Sequence, residues 1–222
     1  MKKPLGLCLA FLLLVGCGSR TTPEWVVAGS QQLETYKRQY LAGGSPVVAE
    51  RHFQKALEEL KKSGDLDLLG KAWLTRMALQ VAALADPEEG EYGRVAAAEP
   101  NRANSNYYRF LNGNPAEVEG ALLPAQYRSY LKALQQRDPA QAEKEIVALA
   151  DDPLSQLIAA GLAVRSGLES EAILLSAVNA ASQNGWKRAL VAWLERLQAW
   201  HEARGNTASA AAVRQRIDVI GK

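Results

Sequence analysis

The chain has 222 residues, of which 48% are hydrophobic and 23% are charged, and its formal net charge is +2 at pH 7. This length suffices for one sizeable domain or a short array of helical repeats. The near-neutral charge gives no basic field over the whole molecule, which argues against nucleic acid as a partner. Both cysteines lie within the first 17 residues, so residues 18–222 have no thiol for a disulfide or a metal site.

The N-terminal segment MKKPLGLCLAFLLLVGC has the features of a secretory signal. Lys2 and Lys3 precede the apolar run 5–15, which is too short to cross a bilayer as a helix. The run ends in Leu14-Val15-Gly16-Cys17, which resembles the lipobox of bacterial lipoproteins. A plain signal peptide with a chance cysteine is the alternative.

The resemblance to lipoproteins implies a lipid anchor. Residues 1–16 would be removed as the signal peptide, and Cys17 would become an N-terminal residue that carries a diacylglycerol and an amide-linked acyl chain such as palmitate. Two acyl chains suffice for stable anchoring. Residues 17–23 would be the lipidated N-terminus and a short polar linker. Because Gly18, and not an aspartate, follows the cysteine, the resemblance implies the outer membrane, facing the periplasm.

After the linker, the sequence predicts a single all-α domain over residues 24–222. Helix-forming residues dominate, and no stretch has the periodicity of a strand. Six capping residues followed by proline predict helix starts: Thr22-Pro23, Ser45-Pro46, Asp86-Pro87, Asn114-Pro115, Asp138-Pro139 and Asp152-Pro153. The predicted helices cover residues 23–41, 46–62, 66–85, 124–136, 139–150, 153–166, 169–183, 186–204 and 207–219. For residues 87–122 the sequence predicts an irregular segment with short helical turns near 104–111 and 115–121.

Small and large residues alternate at fixed steps in residues 44–57. Gly44 is followed by Ala49, then by Phe53 and by Ala56-Leu57, which resembles the second helix of a tetratricopeptide repeat. Further alanines recur near the ~34-residue period of that repeat: Ala142, Ala172 and Ala210. The resemblance implies stacked helical hairpins with a concave, protein-binding surface. An irregular helical bundle in an alanine-rich chain is the alternative.

Two groups of aromatic residues are candidate partner-binding sites. The first is Tyr107, Tyr108, Arg109 and Phe110, in the polar stretch 104–114, because tyrosine and arginine are common contact residues. The second is the stripe Trp186, Trp193 and Trp200, whose spacing of seven puts them on one helix face. Two interpretations of the stripe stay open. It forms a buried seam of the core, or Trp186 and Trp193 line a groove for a partner.

The sequence offers little for catalysis or metal binding. His52 and His201 are the only histidines, and neither lies in a zinc-binding motif. No nucleophile elbow, phosphate loop or dinucleotide motif occurs. We therefore predict no catalytic residue, no cofactor, no metal and no nucleic-acid partner.

These features predict a non-enzymatic adaptor of the cell envelope. The lipobox resemblance implies the membrane anchor, and the repeat resemblance implies a surface for another envelope protein. The alternative is an envelope carrier that holds a small or lipidic ligand in a pocket between helices.

Overall fold

The computed structural model describes residues 22–221. Eleven α-helices and three short 3-10 helices make up this part of the chain, and none of its residues forms a strand. The predicted all-α class is confirmed.

Every predicted helix is present, with bounds close to those expected. The α-helices are α1 Glu24–Ala42, α2 Pro46–Lys61, α3 Leu66–Ala82, α4 Tyr92–Ala98, α5 Arg102–Leu111, α6 Arg128–Gln136, α7 Pro139–Val147, α8 Pro153–Arg165, α9 Glu171–Gln183, α10 Lys187–Glu202 and α11 Thr207–Ile220. The 3-10 helices are Pro115–Glu117, Gly120–Leu122 and Ala125–Tyr127. The predicted irregular segment therefore contains more helix than expected, since α4 and the whole of α5 lie in it.

Capping side chains explain where several helices begin. Asp138 and Asp152, each followed by proline, accept hydrogen bonds from backbone N–H groups three residues later, at 3.0 and 3.1 Å. The prediction of a helix start is wrong for Asp86-Pro87, which lies in a loop. The Asp86 carboxylate instead accepts a hydrogen bond from Arg165 at 3.1 Å.

The central helix of the fold is α3. It packs against α2, α4, α5 and α8, and 11 of its 17 residues are buried, which is why it is apolar on nearly every side. The chain also forms two helical hairpins: α1 with α2, which both pack on α3, and α10 with α11. Helix α10 also packs on α1 and α9. The later helices α8 and α10 thus return to contact the early helices α3 and α1.

Two contacts hold α8 and α10 against the C-terminal end of α3. Trp193 on α10 is fully buried, and its indole N–H donates to the carbonyl oxygen of Ala82 at 2.9 Å. Gly161 on α8 lies against Val81. A Cβ at Gly161 would collide with the carbonyl oxygen of Val81 and would lie 2.9 Å from its Cγ1. Glycine therefore allows the two backbones to approach closely.

Most residues of the predicted repeat are buried. Ala49, Phe53 and Ala142 are in the core, and Arg137, which replaces a glycine of the repeat, has the left-handed conformation (φ 54°) usual for glycine after a helix. Ala172, one of the three recurring alanines, is exposed, unlike the small residue that a tetratricopeptide repeat places between its helices. The resemblance to tetratricopeptide repeats stays a prediction.

Candidate protein-binding groove

A groove crosses the face formed by α1, α3, α5 and the start of α8. Its wide section has a volume of about 480 Å³ and lies between α3, α5 and the chain around residues 120–124. Apolar side chains line most of this section: Leu74, Ala103, Ala121, Leu122, Leu123 and Pro124. A concave, mostly apolar surface with a few polar groups is the usual form of a binding site.

Two further sections extend the groove toward the start of α10. The middle section, of about 360 Å³, runs between α3 and α8, and the end section, of about 300 Å³, runs between α1 and α8 and reaches Trp186. Neighbouring sections share lining residues, so the three form one continuous surface. The shared residues are Thr75, Tyr107 and Pro124 for the wide and middle sections, and Lys37, Asp152 and Leu154 for the middle and end sections.

Two buried asparagines hold the wall of the wide section in place. The side-chain N–H of Asn106 donates to the Glu119 carbonyl at 3.0 Å, and its side-chain oxygen accepts from the Glu119 N–H at 2.7 Å. Asn104 donates to the Asp67 carboxylate at 2.9 Å, which joins α5 to the first turn of α3. These hydrogen bonds satisfy the buried side-chain amides of both asparagines. They also attach the chain around Glu119, which forms only short 3-10 helices, to α5.

Tyr107 lies between the wide and middle sections, half-buried. Its ring stacks with those of Phe110 and Tyr127, at centroid distances of 6.0 and 6.2 Å. The Tyr127 hydroxyl donates to Ser155 Oγ at 3.0 Å, which joins this cluster to α8. Burial raises the pKa of Tyr127 to about 12 and raises the pKa of Tyr107 well above its usual value. Both hydroxyls are therefore neutral at physiological pH.

Four basic side chains and two acidic ones, Glu34 and Asp152, line the groove. Lys37 and Lys71 pair with carboxylates on their own helices, Glu34 at 2.8 Å and Asp67 at 2.6 Å. Arg38 in the end section and Arg128 in the wide section have no carboxylate within 4.0 Å among residues 22–221. The groove thus carries one guanidinium without an acidic partner toward each end.

The structure brings together only some of the predicted partner-binding residues. Tyr107 and Trp186 line the groove. Tyr108 stacks on Tyr92 at 4.9 Å instead, and Arg109 is exposed outside the groove, 3.6 Å from the Glu117 carboxylate.

For two of those residues the prediction is wrong. Phe110 is 1% exposed and Trp193 is 0% exposed, so neither can touch a partner in this fold. Of the two interpretations of the tryptophan stripe, the buried seam holds for Trp193, while Trp186 is half-buried at the end section. Cys17 lies outside the described residues.

Several groove residues carry no signal in the sequence. Lys37, Thr75 and Leu154 lie on three different helices, and each resembles an ordinary residue of an amphipathic helix. Only the packing of α1 and α8 beside α3 brings them to one surface.

Across residues 22–221 no cluster of histidine, cysteine, aspartate and glutamate has the arrangement of a metal site. None of the helices in that range is both long and apolar enough to span a membrane.

A comparison of the chain with protein-family models, curated proteins and solved structures finds no significant match in any of the three. The resemblance to lipoproteins and to tetratricopeptide repeats therefore rests on the residues named above, and the candidate site rests on its geometry.

Proposed function

We propose that this chain is a non-enzymatic, lipid-anchored adaptor of the cell envelope that holds a segment of another envelope protein in the groove. The observation that supports the proposal is the continuity of the groove over three sections and four helices. An extended or helical segment needs such a long surface, whereas a small ligand needs only one enclosed pocket.

The charges of the groove define the chemistry of that segment. Apolar side chains would occupy the wide section against Leu74 and Leu122. Arg38 and Arg128, one toward each end, would pair with acidic residues that flank the apolar part. The proposed occupant is therefore an apolar segment with aspartate or glutamate on both sides.

The proposed anchor is the acylated Cys17. Residues 17–23 would hold the helical domain close to the periplasmic face of the membrane, where the partner lies. Cys17→Ser should move the protein from the membrane fraction to the soluble fraction. If the variant stays in the membrane fraction after a carbonate wash, the lipid anchor is disproved.

The groove is tested by site-specific photo-crosslinking in intact cells. A photoreactive amino acid at Ala121, which is exposed on the wide section, should crosslink to one envelope protein. Peptide mapping of the crosslink should locate an apolar segment with flanking carboxylates. The same photoreactive residue at Ala172, exposed on α9 and outside the groove, should give no such product.

A pair of charge variants tests the same contact, one in the groove and one outside it. Ala103→Glu adds a carboxylate to the groove at the second residue of α5, where a negative charge is compatible with a helix N-terminus. It should reduce the crosslink at Ala121 about tenfold, by repulsion of the acidic partner. Ala172→Glu, at the second residue of α9, should leave the crosslink unchanged. Equal crosslinking in both variants would rule out the groove as the contact.

The second candidate function is an envelope carrier of a small apolar or lipidic ligand. The volume and apolar lining of the wide section, about 480 Å³, favour it. Mass spectrometry of the native protein distinguishes the two functions. A stoichiometric bound lipid, displaced by Ala103→Trp, together with no protein crosslink at Ala121, would support the carrier.

A further inference from the structure

A second pocket, of about 410 Å³, lies among α1, α2, α3, the loop after α3 and the start of α10. None of its lining residues lines the groove. It contains two arginines, Arg76 and Arg188, and two tyrosines, Tyr36 and Tyr40. The proposed adaptor function gives this pocket no role.

Arg188 is held in the pocket with unused hydrogen-bonding capacity. Its guanidinium carbon lies 4.6 Å from the ring centroid of Tyr40, which fixes the plane of the side chain by a cation–π contact. Its Nε is buried without a hydrogen-bond partner in the part of the chain that the structure describes. An N–H group buried in this way costs free energy until an acceptor binds it.

Arg76 has no such capacity. One of its terminal nitrogens lies 3.1 and 2.9 Å from the two carboxylate oxygens of Glu50, and the other lies 3.5 Å from Glu88. Its guanidinium carbon also lies 5.1 Å from the ring centroid of Phe53. Arg76 therefore belongs to the wall of the pocket, where its single positive charge is shared between two carboxylates.

In the part of the chain that the structure describes, Arg188 is the arginine of the pocket that no carboxylate contacts. Three carboxylates line the pocket, and each has an arginine other than Arg188: Glu50 and Glu88 have Arg76, and Asp86 has Arg165 at 3.1 Å. No carboxylate lies within 4.0 Å of Arg188 among residues 22–221.

The two tyrosines add neutral polar groups to this site. Burial raises the pKa of both Tyr36 and Tyr40, so their hydroxyls stay protonated and add no negative charge. Because Glu50 and Glu88 share one arginine, the surroundings of Arg188 already carry negative charge, and the site suits a ligand with a single negative charge better than one with two. A dianion such as phosphate would face the surrounding carboxylates with only one free cation to balance it.

We propose that this pocket binds the carboxylate of a small acid or of a polypeptide C-terminus, with Arg188 as its main ligand. A planar carboxylate accepts two parallel hydrogen bonds from the Nε–H and one terminal N–H of a guanidinium. The organic part of the ligand lies against Pro46 and Ala49, which supply the apolar side of the pocket.

The test is an NMR titration of the purified full chain, with the arginine Nε–Hε resonances as the readout. The probes are benzoate, the tripeptide Ala-Ala-Ala with a free C-terminus, and the same tripeptide with a C-terminal amide. Sulfate at matched ionic strength is the fourth probe. We expect a saturable shift of the Arg188 resonance with a free carboxylate and none with the amide.

The probes also separate the two sources of the carboxylate. Saturation by the tripeptide alone assigns a polypeptide C-terminus, saturation by benzoate alone assigns a small acid, and saturation by both supports the shared chemistry. The proposal is overturned if no carboxylate shifts the resonance, if the amide binds as well as the free acid, or if sulfate binds more tightly.

A conservative variant tests the geometry of the contact. Arg188→Lys keeps the positive charge but removes the two parallel N–H donors of the guanidinium. It should lower the affinity for the carboxylate ligand about tenfold. Lys187→Gln removes a charge from the exposed neighbouring residue and should leave the affinity within about twofold. Equal affinity of Arg188→Lys and the native chain would overturn the role of Arg188. The titration of the native chain decides the proposal even if the variant folds poorly.

Discussion

Trp193 and Trp200 lie two turns apart on α10, and their indole N–H groups have different surroundings. The N–H of Trp193 donates to Ala82 on α3, 111 residues earlier in the chain. The N–H of Trp200 is buried but has no partner in the described range, and the guanidinium carbon of Arg204 lies 3.8 Å from its ring centroid. The same type of side chain therefore makes a hydrogen bond between two distant helices at one position, and at the other it packs against the core without one among residues 22–221.

This difference predicts unequal effects of the same substitution. Trp193→Phe should lower the free energy of unfolding by about 2–4 kcal/mol, because it leaves a cavity and leaves the Ala82 carbonyl without a donor. Trp200→Phe removes an N–H that has no acceptor and should cost about 1 kcal/mol or less. Urea unfolding followed by circular dichroism measures both. Equal losses would contradict the role of the Trp193 hydrogen bond.

At the scale of the helices, the crossing of α3 and α8 decides where the groove lies. Gly161 lets α8 approach α3 at Val81, and α8 carries Leu154 and Ser155 to the middle section. Most exposed helical glycines are more stable as alanine, by about 1 kcal/mol, because alanine loses less backbone entropy. A glycine at a close crossing should show the opposite sign.

Gly161→Ala should therefore lower the free energy of unfolding by about 1–3 kcal/mol, because its methyl group would meet the Val81 backbone. Gly93→Ala on α4 is the matched control. The nearest atoms to its methyl group belong to the flexible end of the Glu89 side chain, which can move away. The control should be neutral or slightly stabilised, by up to about 1 kcal/mol. Thermal unfolding compares the two, and a stabilised Gly161→Ala would contradict the close crossing.

The helices could be predicted because their signals are local. Caps such as Asp138 and Asp152 and the apolar periodicity act within one or two turns, so most bounds agree with the structure. Helix α4 could not be predicted, because glycine, proline and glutamate surround a short alanine run that is held by packing on α3. Asp86-Pro87 has the local signal of a helix start, but α3 ends in a turn whose Leu84 is left-handed (φ 55°), and the chain then follows the pocket wall.

The candidate site was predictable only in part. Tyr107 is an aromatic residue in a polar stretch, a pattern that indicates a surface contact, and it does line the groove. Phe110, three residues later, has the same local pattern but points into the core, because α5 packs on α3 and the 3-10 segment and the Phe110 ring lies against Tyr127 and Tyr130. The buried face of α5 is determined by helices that are distant in sequence. The residues of a single helical turn therefore do not reveal it.

At the scale of the whole molecule, all seven tyrosines share one electrostatic property. Burial is the largest cause of a raised pKa for each of them. In the unfolded chain a tyrosine ionises near pH 10. The folded state thus holds more protons than the unfolded state above that pH, so stability falls as the pH rises. The contribution of these tyrosines is complete below about pH 10 and is lost as the pH rises through their folded pKa values.

We therefore expect the native protein to form tyrosinate only at strongly alkaline pH. Absorbance at 295 nm should show tyrosine ionisation with a midpoint near pH 10 in concentrated urea and at higher pH in the native protein. In the folded chain the pKa of Tyr127 should be about 12. Circular dichroism should show unfolding together with this ionisation. A native titration that coincides with the one in urea would contradict the burial of the tyrosines.

The return of α8 and α10 onto α3 and α1 also has a consequence for biosynthesis. A linear array can fold one hairpin at a time as it leaves the ribosome, since each unit contacts only its neighbours. Here the face of α3 that packs on α8, and the Ala82 carbonyl that accepts from Trp193, are not covered until residues 153–202 are available, so these contacts close long loops. That face of α3 is therefore exposed in the nascent chain until its last third is made, and a chaperone that acts on this protein should bind there.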